Sequence, residues 1–233
     1  MSICLTCRGN GLLNGCPSCG KTVSFDAPAT TVEPAVLKSF AIPEYYQNLC
    51  WSKQILLDTH QDMRSKGSLE RYAEQLTRIY EMFSRGEIPN KSFFVIAPKN
   101  MGKQTWAYCC LQEAIKHSHS VVPIIDNTQY KRLNIISSDR ISSKFLKNQD
   151  YTIEDYNSAD VMFMTVDPDN FQSSYRTIES VLSKRSRAGK ATFILSRYTL
   201  EQMSLPDYTN TFSKNVLATQ LQDRNKYVLI IGG

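Results

Sequence analysis

Four cysteines stand within the first nineteen residues, spaced as Cys4-x-x-Cys7 and Cys16-x-x-Cys19. A C-x-x-C pair forms a tight knuckle that sets two thiolates at neighbouring corners of a tetrahedron. Two knuckles fill the coordination sphere of a zinc ion and leave no position for water. The predicted chemistry is therefore structural zinc held by Cys4, Cys7, Cys16 and Cys19 rather than zinc catalysis, with disulfides as the competing use of the same thiols.

A second chemical signature is Ala97-Pro98-Lys99-Asn100-Met101-Gly102-Lys103-Gln104-Thr105, placed between an apolar run and a helical stretch. It reads as a damaged form of the phosphate-binding loop G-x-x-x-x-G-K-[ST]. In the intact loop, backbone N–H groups at a helix N-terminus wrap the phosphates, the lysine meets the β/γ-phosphates and the hydroxyl holds Mg²⁺. Gly102 and Lys103 fit that pattern. Ala97 replaces the first glycine, which is tolerable if its φ stays negative. Gln104 replaces the metal-binding hydroxyl residue and leaves Thr105 one position late. The candidate contacts to ATP or ADP are Lys99, Asn100, Met101, Gly102, Lys103, Gln104 and Thr105; the plainer alternative is a βα turn with a surface lysine.

Magnesium bound with a nucleotide needs a carboxylate at the C-terminal edge of a neighbouring strand. Asp167 directly follows the apolar run 161–166 and suits that role, the alternative being an aspartate that merely starts a Pro-Asp turn. Pro168 occupies the place of a water-activating glutamate, and Asp169 is the nearest substitute. A carboxylate displaced by one residue behind a rigid proline points elsewhere, so ATP binding is expected with slow or absent hydrolysis. His117 and His119 have no carboxylate or thiol at ligand spacing and read as a polar helix end. Cys50, Cys109 and Cys110 read as free buried thiols of a reducing compartment.

These residues need a frame to position them. A chain of 233 residues with 42% hydrophobic content can bury one main core plus an appendage. Net charge is +5, which permits nucleic-acid contact without demanding it. No apolar run approaches membrane-spanning length and no secretory pattern opens the chain, so a cytoplasmic protein is expected. Residues 21–41 lack periodicity and read as a linker, dividing a zinc module at 1–40 from a core at 41–233. Leu69, Tyr72, Leu76, Ile79 and Phe83 recur at steps of three and four, predicting a helix over 68–85 that ends at Gly86. Beyond it, apolar segments of strand length at 93–97, 133–137, 161–166, 192–196 and 227–231 alternate with helical stretches. That pattern predicts an α/β fold with a five-stranded parallel sheet.

The order of these features resembles the replicative-helicase loaders of the DnaC/DnaI type, within the AAA+ ATPases, over residues 42–233. Ile42-Pro43-Glu44-Tyr45-Tyr46-Gln47-Asn48 looks like the short segment that precedes the loaders' long helix, and 68–85 matches that helix. Residues 178–185, ending at Arg185, and then 191–203 are similar to the loaders' helix with a terminal arginine and their sensor strand, with Ser196 at the polar sensor position. The resemblance implies an AAA+/P-loop core with strand order 5-1-4-3-2, a replicative helicase as partner, single-stranded DNA as a further contact and a homo-oligomer on the helicase. Loaders of the DnaI branch carry an N-terminal zinc module that grips the helicase. The Cys4-x-x-Cys7-x-Gly9-x-Gly11 stretch also matches the repeat of DnaJ-type zinc domains, a local likeness of knuckle geometry.

Departures from the AAA+ pattern weaken the expected catalysis. Two glycines follow the last predicted strand, which implies a reduced or absent lid. From Tyr198 to Asp223 there is no arginine, and Lys214 is the only cation where a trans-acting finger would stand. Arg185 and Arg187 are candidates for a neighbour's phosphates or DNA, or else a solvated charge run favoured by the helix dipole. Lys131, Arg132 and Lys184 are further candidates for a single-stranded backbone. The resulting expectation is a phage-like helicase loader with a degenerate ATP-binding core; the alternative is an active DNA-dependent ATPase, with Thr105 and Asp169 rescuing the magnesium and water chemistry.

Overall fold

The computed structural model describes residues 32–60, 66–125, 153–166, 175–199 and 227–232. The four cysteines at 4, 7, 16 and 19, Lys131, Arg132, Asp167, Asp169, Lys214 and the strand expected at 133–137 lie outside the described residues.

The first described element is a helix, α1 (Pro34–Ser39), with its proline at the helix start where no N–H is needed. Its Leu37 is wholly buried in the main core, so the stretch read as a linker ends in an integral part of that core. A single 3₁₀ turn (Glu44–Tyr46) and a short helix, α2 (Lys53–Thr59), follow. The long helix α3 (Lys66–Ser84) buries Leu69, Tyr72, Leu76, Ile79 and Phe83, the face expected from their spacing. Gly86 ends it with φ 76°, its N–H bonding to Phe83 O at 2.9 Å and the Glu87 N–H to Met82 O at 2.9 Å. This is the paired closure of a Schellman motif. His117 and His119 reach back from the next helix to Ser84 O (3.0 Å) and Gly86 O (2.9 Å), which is how the structure uses both imidazoles.

Four parallel strands form the sheet among the described residues: β1 (Ser92–Ile96), β2 (Val161–Val166), β3 (Ala191–Ser196) and β4 (Tyr227–Ile231), in the order β2-β3-β1-β4. Renumbered by the five expected strands, this is 5-1-4-3, the predicted arrangement without its last member. The expectation of five strands is thus corrected to four among the described residues. The outer edge of β2 carries isolated parallel bridges from Val121 and Ile125 to Val161 and Met164, and the Thr165 N–H bonds Ile125 O at 2.8 Å. Pro123 sits in that short run. A proline has no N–H to give a ladder, which is why 121–125 bridges β2 without forming a strand and does not read as one.

Helices α4 (Lys103–Lys116), α5 (Ile153–Ser158) and α6 (Tyr175–Arg187) complete the described elements. The register aligns Phe93, Phe193 and Phe163 across three strands. Phe93 and Phe193 stack at 5.2 Å, Phe163 and Phe193 at 4.7 Å. Trp106 of α4 meets Phe163 and Phe193 edge-on at 6.0 and 5.9 Å, and Phe83 of α3 leans on the same pair. Each such pair adds about 0.5–1.5 kcal/mol beyond its burial. α3 and α4 are thereby anchored to one face of the sheet.

Arg185 corrects an expectation. Its side chain is fully buried, with Nε donating to Thr192 Oγ1 (2.9 Å), Nη1 to Tyr156 O (2.6 Å) and Ala159 O (2.8 Å), and Nη2 to Ala191 O (2.5 Å). A guanidinium withdrawn from water needs its donors satisfied, and these bonds tie α6 to α5 and β3. It is therefore a brace and not a surface contact for phosphate or DNA. Lys184 and Arg187 remain exposed.

Gly86→Ala is expected to destabilise the protein by about 1–3 kcal/mol. A left-handed φ strains any L-residue by roughly 1–2 kcal/mol, and the added Cβ would lie 2.9 Å from His117 Nδ1. Denaturant unfolding of the variant against wild type checks this; a loss below about 0.5 kcal/mol contradicts it.

Candidate functional site

The chain leaves β1 at Ile96 and turns into α4 through six residues, and that turn lies at the C-terminal end of the parallel sheet. The Ala97 N–H bonds Ser196 O at 3.1 Å, extending the β1–β3 ladder by one residue. Ala97 is buried with a negative φ, as its replacement of glycine requires. Asn100 (φ 68°) and Gly102 (φ 69°) both take the left-handed conformation, which asparagine and glycine tolerate best. A Cβ on Gly102 would also press on Leu56 at 3.2 Å. Gly102 is the N-cap of α4, so the N–H groups of Lys103, Gln104 and Thr105 open the helix without intrahelical acceptors.

An open cleft of about 570 Å³ lies over this turn. It is lined by the turn and first helical residues 99–105, by Thr165 and Val166 ending β2, by Leu195, Ser196 and Arg197 at the end of β3, and by Tyr46. Among the described residues that line it, Lys99, Lys103 and Arg197 are cationic and none is acidic. A cleft at strand C-termini, beside a helix N-terminus and rich in positive charge, is suited to a phosphorylated ligand.

The predicted contacts divide by environment. Lys99, Asn100 and Gln104 are exposed at the rim. The Met101 side chain is buried in the core and its carbonyl accepts from the Tyr72 hydroxyl at 3.2 Å, leaving only its N–H for a ligand. Lys103 folds back over the turn, its Nζ donating to Ala97 O (2.5 Å) and Pro98 O (2.7 Å). Burial pushes its pKa down from the usual lysine value to about 8. Ser196 is buried and committed: its Oγ donates to Val166 O (3.1 Å) and accepts from the Tyr198 N–H (3.0 Å). Asp167 and Asp169 lie outside the described residues, Asp167 being the next residue after β2.

Two contributors escape a motif search. Tyr46 comes from the 3₁₀ turn, more than fifty residues before the loop, and stacks on Tyr108 of α4 with centroids 4.4 Å apart. Burial raises its phenol pKa, partly offset by the Thr105 side chain within hydrogen-bonding reach. Gln112 holds Tyr46 there, its buried amide donating to Tyr46 O (2.9 Å) while its Oε1 accepts from the Asn48 N–H (2.5 Å). Thr105, Tyr108 and Gln112 recur at helical spacing, so one face of α4 carries the whole attachment. The second contributor is Arg197, which stands over the Tyr198 ring at 4.6 Å. Its only sequence signal is its place one residue past a buried strand.

The crystal structure of DnaI matches with a TM-score of 0.52 at 15% identity, over 78% of this chain and 92% of DnaI. The fold is shared with DnaI. A protein of Streptococcus pyogenes serotype M3, assigned as a primosome component, matches with a TM-score of 0.53 at 12% identity, covering 85% of this chain and 95% of that one. No family model matches the sequence, and no curated protein does. The resemblance to DnaC/DnaI-type loaders read from motif order therefore holds at the level of fold. Among the described residues, no helix is long and apolar enough to cross a membrane.

Two measurements test the site. Anion affinity should follow the protonated fraction of Lys103. With the pKa near 8, the charged form dominates at pH 7 and is lost by pH 9, so affinity for a polyphosphate should fall about tenfold between those values. The fall should vanish in Lys103→Ala, and an equally steep profile in that variant would exclude Lys103 as its source. Separately, Gln112→Ala leaves two backbone groups of the 46–48 segment without their partner, which should cost about 2–3 kcal/mol in denaturant unfolding. A change under 0.5 kcal/mol would show that Gln112 does not anchor the segment.

Proposed function

We propose that this chain is a nucleotide-binding loader of a replicative helicase. One observation carries the reading: the Gly102-Lys103 turn stands at the mouth of a parallel sheet, over a cationic cleft, within a fold shared with DnaI. ATP or ADP is the proposed ligand, its phosphates at the start of α4 and Lys103 released from the Ala97 and Pro98 carbonyls to meet them. Mg²⁺ would be held by Asp167, with Thr105 displaced from the usual hydroxyl position and directed toward Tyr46. Gln104 supplies no hydroxyl for the ion and Pro168 no base for water, so nucleotide serves assembly more than turnover.

In this proposal Cys4, Cys7, Cys16 and Cys19 bind one structural zinc, a donor set of four soft thiolates that suits that ion. The zinc module engages the helicase, as the resemblance to the DnaI branch implies, and the core organises copies of the loader on it. Single-stranded DNA would meet exposed cations such as Lys184 and Arg187.

Co-purification with a replicative helicase tests the partner. The full chain should retain the helicase, and a chain lacking residues 1–31 should not. The deletion stops at 31 because Leu37 belongs to the core. Failure of the full chain to bind any replicative helicase removes the loader reading. An ATP titration tests the ligand: Lys103→Ala should weaken binding at least about tenfold, and equal affinity in both proteins removes Lys103 from the site.

A further inference from the structure

The two edges of the sheet are not alike. β2 is the outer strand on one side, and the run 121–125, with its Pro123, bridges it there. β4 is the outer strand on the other, and among the described residues no segment pairs with its free side. An open edge is a template for another strand, and proteins commonly blunt it with proline, charge or a bulge. β4 reads Tyr227-Val228-Leu229-Ile230-Ile231, without proline or charge, and its register with β1 runs unbroken from Ser92↔Tyr227 to Ile96↔Ile231.

The ladder to β1 fixes which backbone groups of β4 are left over. The Gly232 N–H bonds Ile96 O at 2.8 Å, so by the two-residue period of a strand the N–H and C=O groups of Val228 and Ile230 also point to β1. Those of Tyr227, Leu229 and Ile231 point away from it. The side chains of Leu229 and Ile231 stand on the same sheet face as their register partners Phe94 and Ile96. Phe94 and Ile96 are 0% and 4% exposed, whereas Leu229 and Ile231 are 40% and 56% exposed. The apolar row thus runs off the covered part of the sheet at the very residues whose backbone faces the open edge.

We infer that the β4 edge pairs with the β4 edge of a second copy of this chain, antiparallel about a twofold axis at Leu229. The symmetry of the strand selects that occupant. Its outward residues 227, 229 and 231 are evenly disposed about Leu229, so a half-rotation sets Leu229 opposite itself and the Tyr227 backbone opposite that of Ile231, each as a hydrogen-bonded pair. About six N–H···O bonds form, and the outward groups of both strands are satisfied together. Residues directly opposite in an antiparallel pair share a face, so the two exposed Leu229 side chains cover each other. No charge of either strand meets its like. The pair is closed, because it consumes both β4 edges and leaves outward only the bridged edges of β2. The two clefts then open in opposite directions, each at the C-terminal end of its own strands, and the pairing needs no nucleotide in either.

The experiment follows the full chain by analytical ultracentrifugation between about 1 and 200 μM. Wild type should pass from monomer to dimer with a dissociation constant on the order of 10 μM, the weak affinity of a small interface. Leu229→Lys and Leu229→Glu each set like charges across the axis and should weaken the dimer at least about tenfold. An equimolar mixture of the two variants should restore it, since opposite charges then face each other; a loss of folding would not be repaired by mixing. Amide hydrogen exchange on wild type needs no variant: Leu229 and Ile231 should exchange fast at about 1 μM and be protected at about 200 μM. A wild type that stays monomeric, variants that dimerise as tightly as wild type, or a mixture that regains nothing overturns the inference. So does protection of Leu229 and Ile231 in the monomer, which would show that a segment of the same chain already holds the edge.

Discussion

Trp106 is the contact on which the rest of this structure turns. It is wholly buried one residue past Thr105 on α4, presents its edge to Phe163 and Phe193 on the sheet, and donates its indole N–H to Leu76 O of α3 at 2.8 Å. A single side chain thereby ties α4, α3 and two strands together. The indole nitrogen finds an acceptor, so its burial carries no unsatisfied polar group. Four residues before it, Gly102 starts the helix, and the Trp106 N–H closes the first turn on Gly102 O at 2.9 Å. The position of the Gly-Lys turn relative to the sheet follows from where this tryptophan packs.

Around that anchor, the turn is braced at three of its residues. Leu56 and Trp51 fill the space that a Cβ on Gly102 would need, the Tyr72 hydroxyl holds Met101 O, and His60 Nε2 meets Asn100 O at 3.2 Å. The Tyr72 ring lies where a Cβ on Gly232, just past β4, would stand, and the Gly232 N–H bonds Ile96 O at 2.8 Å. Elements from residue 51 to residue 232 therefore converge on one six-residue loop. A left-handed asparagine and glycine persist there because the surroundings over-determine them. Lys103 satisfies itself meanwhile on two loop carbonyls, holding positive charge at the cleft.

Cations are used in two opposite ways. Arg185 and Arg197 both stand near the ends of β3, yet one is buried among carbonyls at its N-terminal end and the other is exposed at its C-terminal mouth. Residue type does not distinguish them. The end of a parallel strand does, because helices and connecting chain close over one end while the mouth stays open to a ligand.

What the sequence determined by itself was local or periodic. The α3 face from Leu69 to Phe83, the apolar runs of the four described strands and the Gly102-Lys103 turn all obey rules of three to eight residues, the range over which backbone sterics and side-chain spacing act. Only the tertiary structure decided the rest. Tyr46 reached the cleft because Gln112, sixty-six residues away, grips its carbonyl; Ser196 was spent on a neighbouring strand; Arg185 was buried and Arg197 was not. Pro123 hid the segment that bridges the edge of β2. Each outcome depends on which distant segment arrives to accept a hydrogen bond or exclude water, and no spacing along the chain records that.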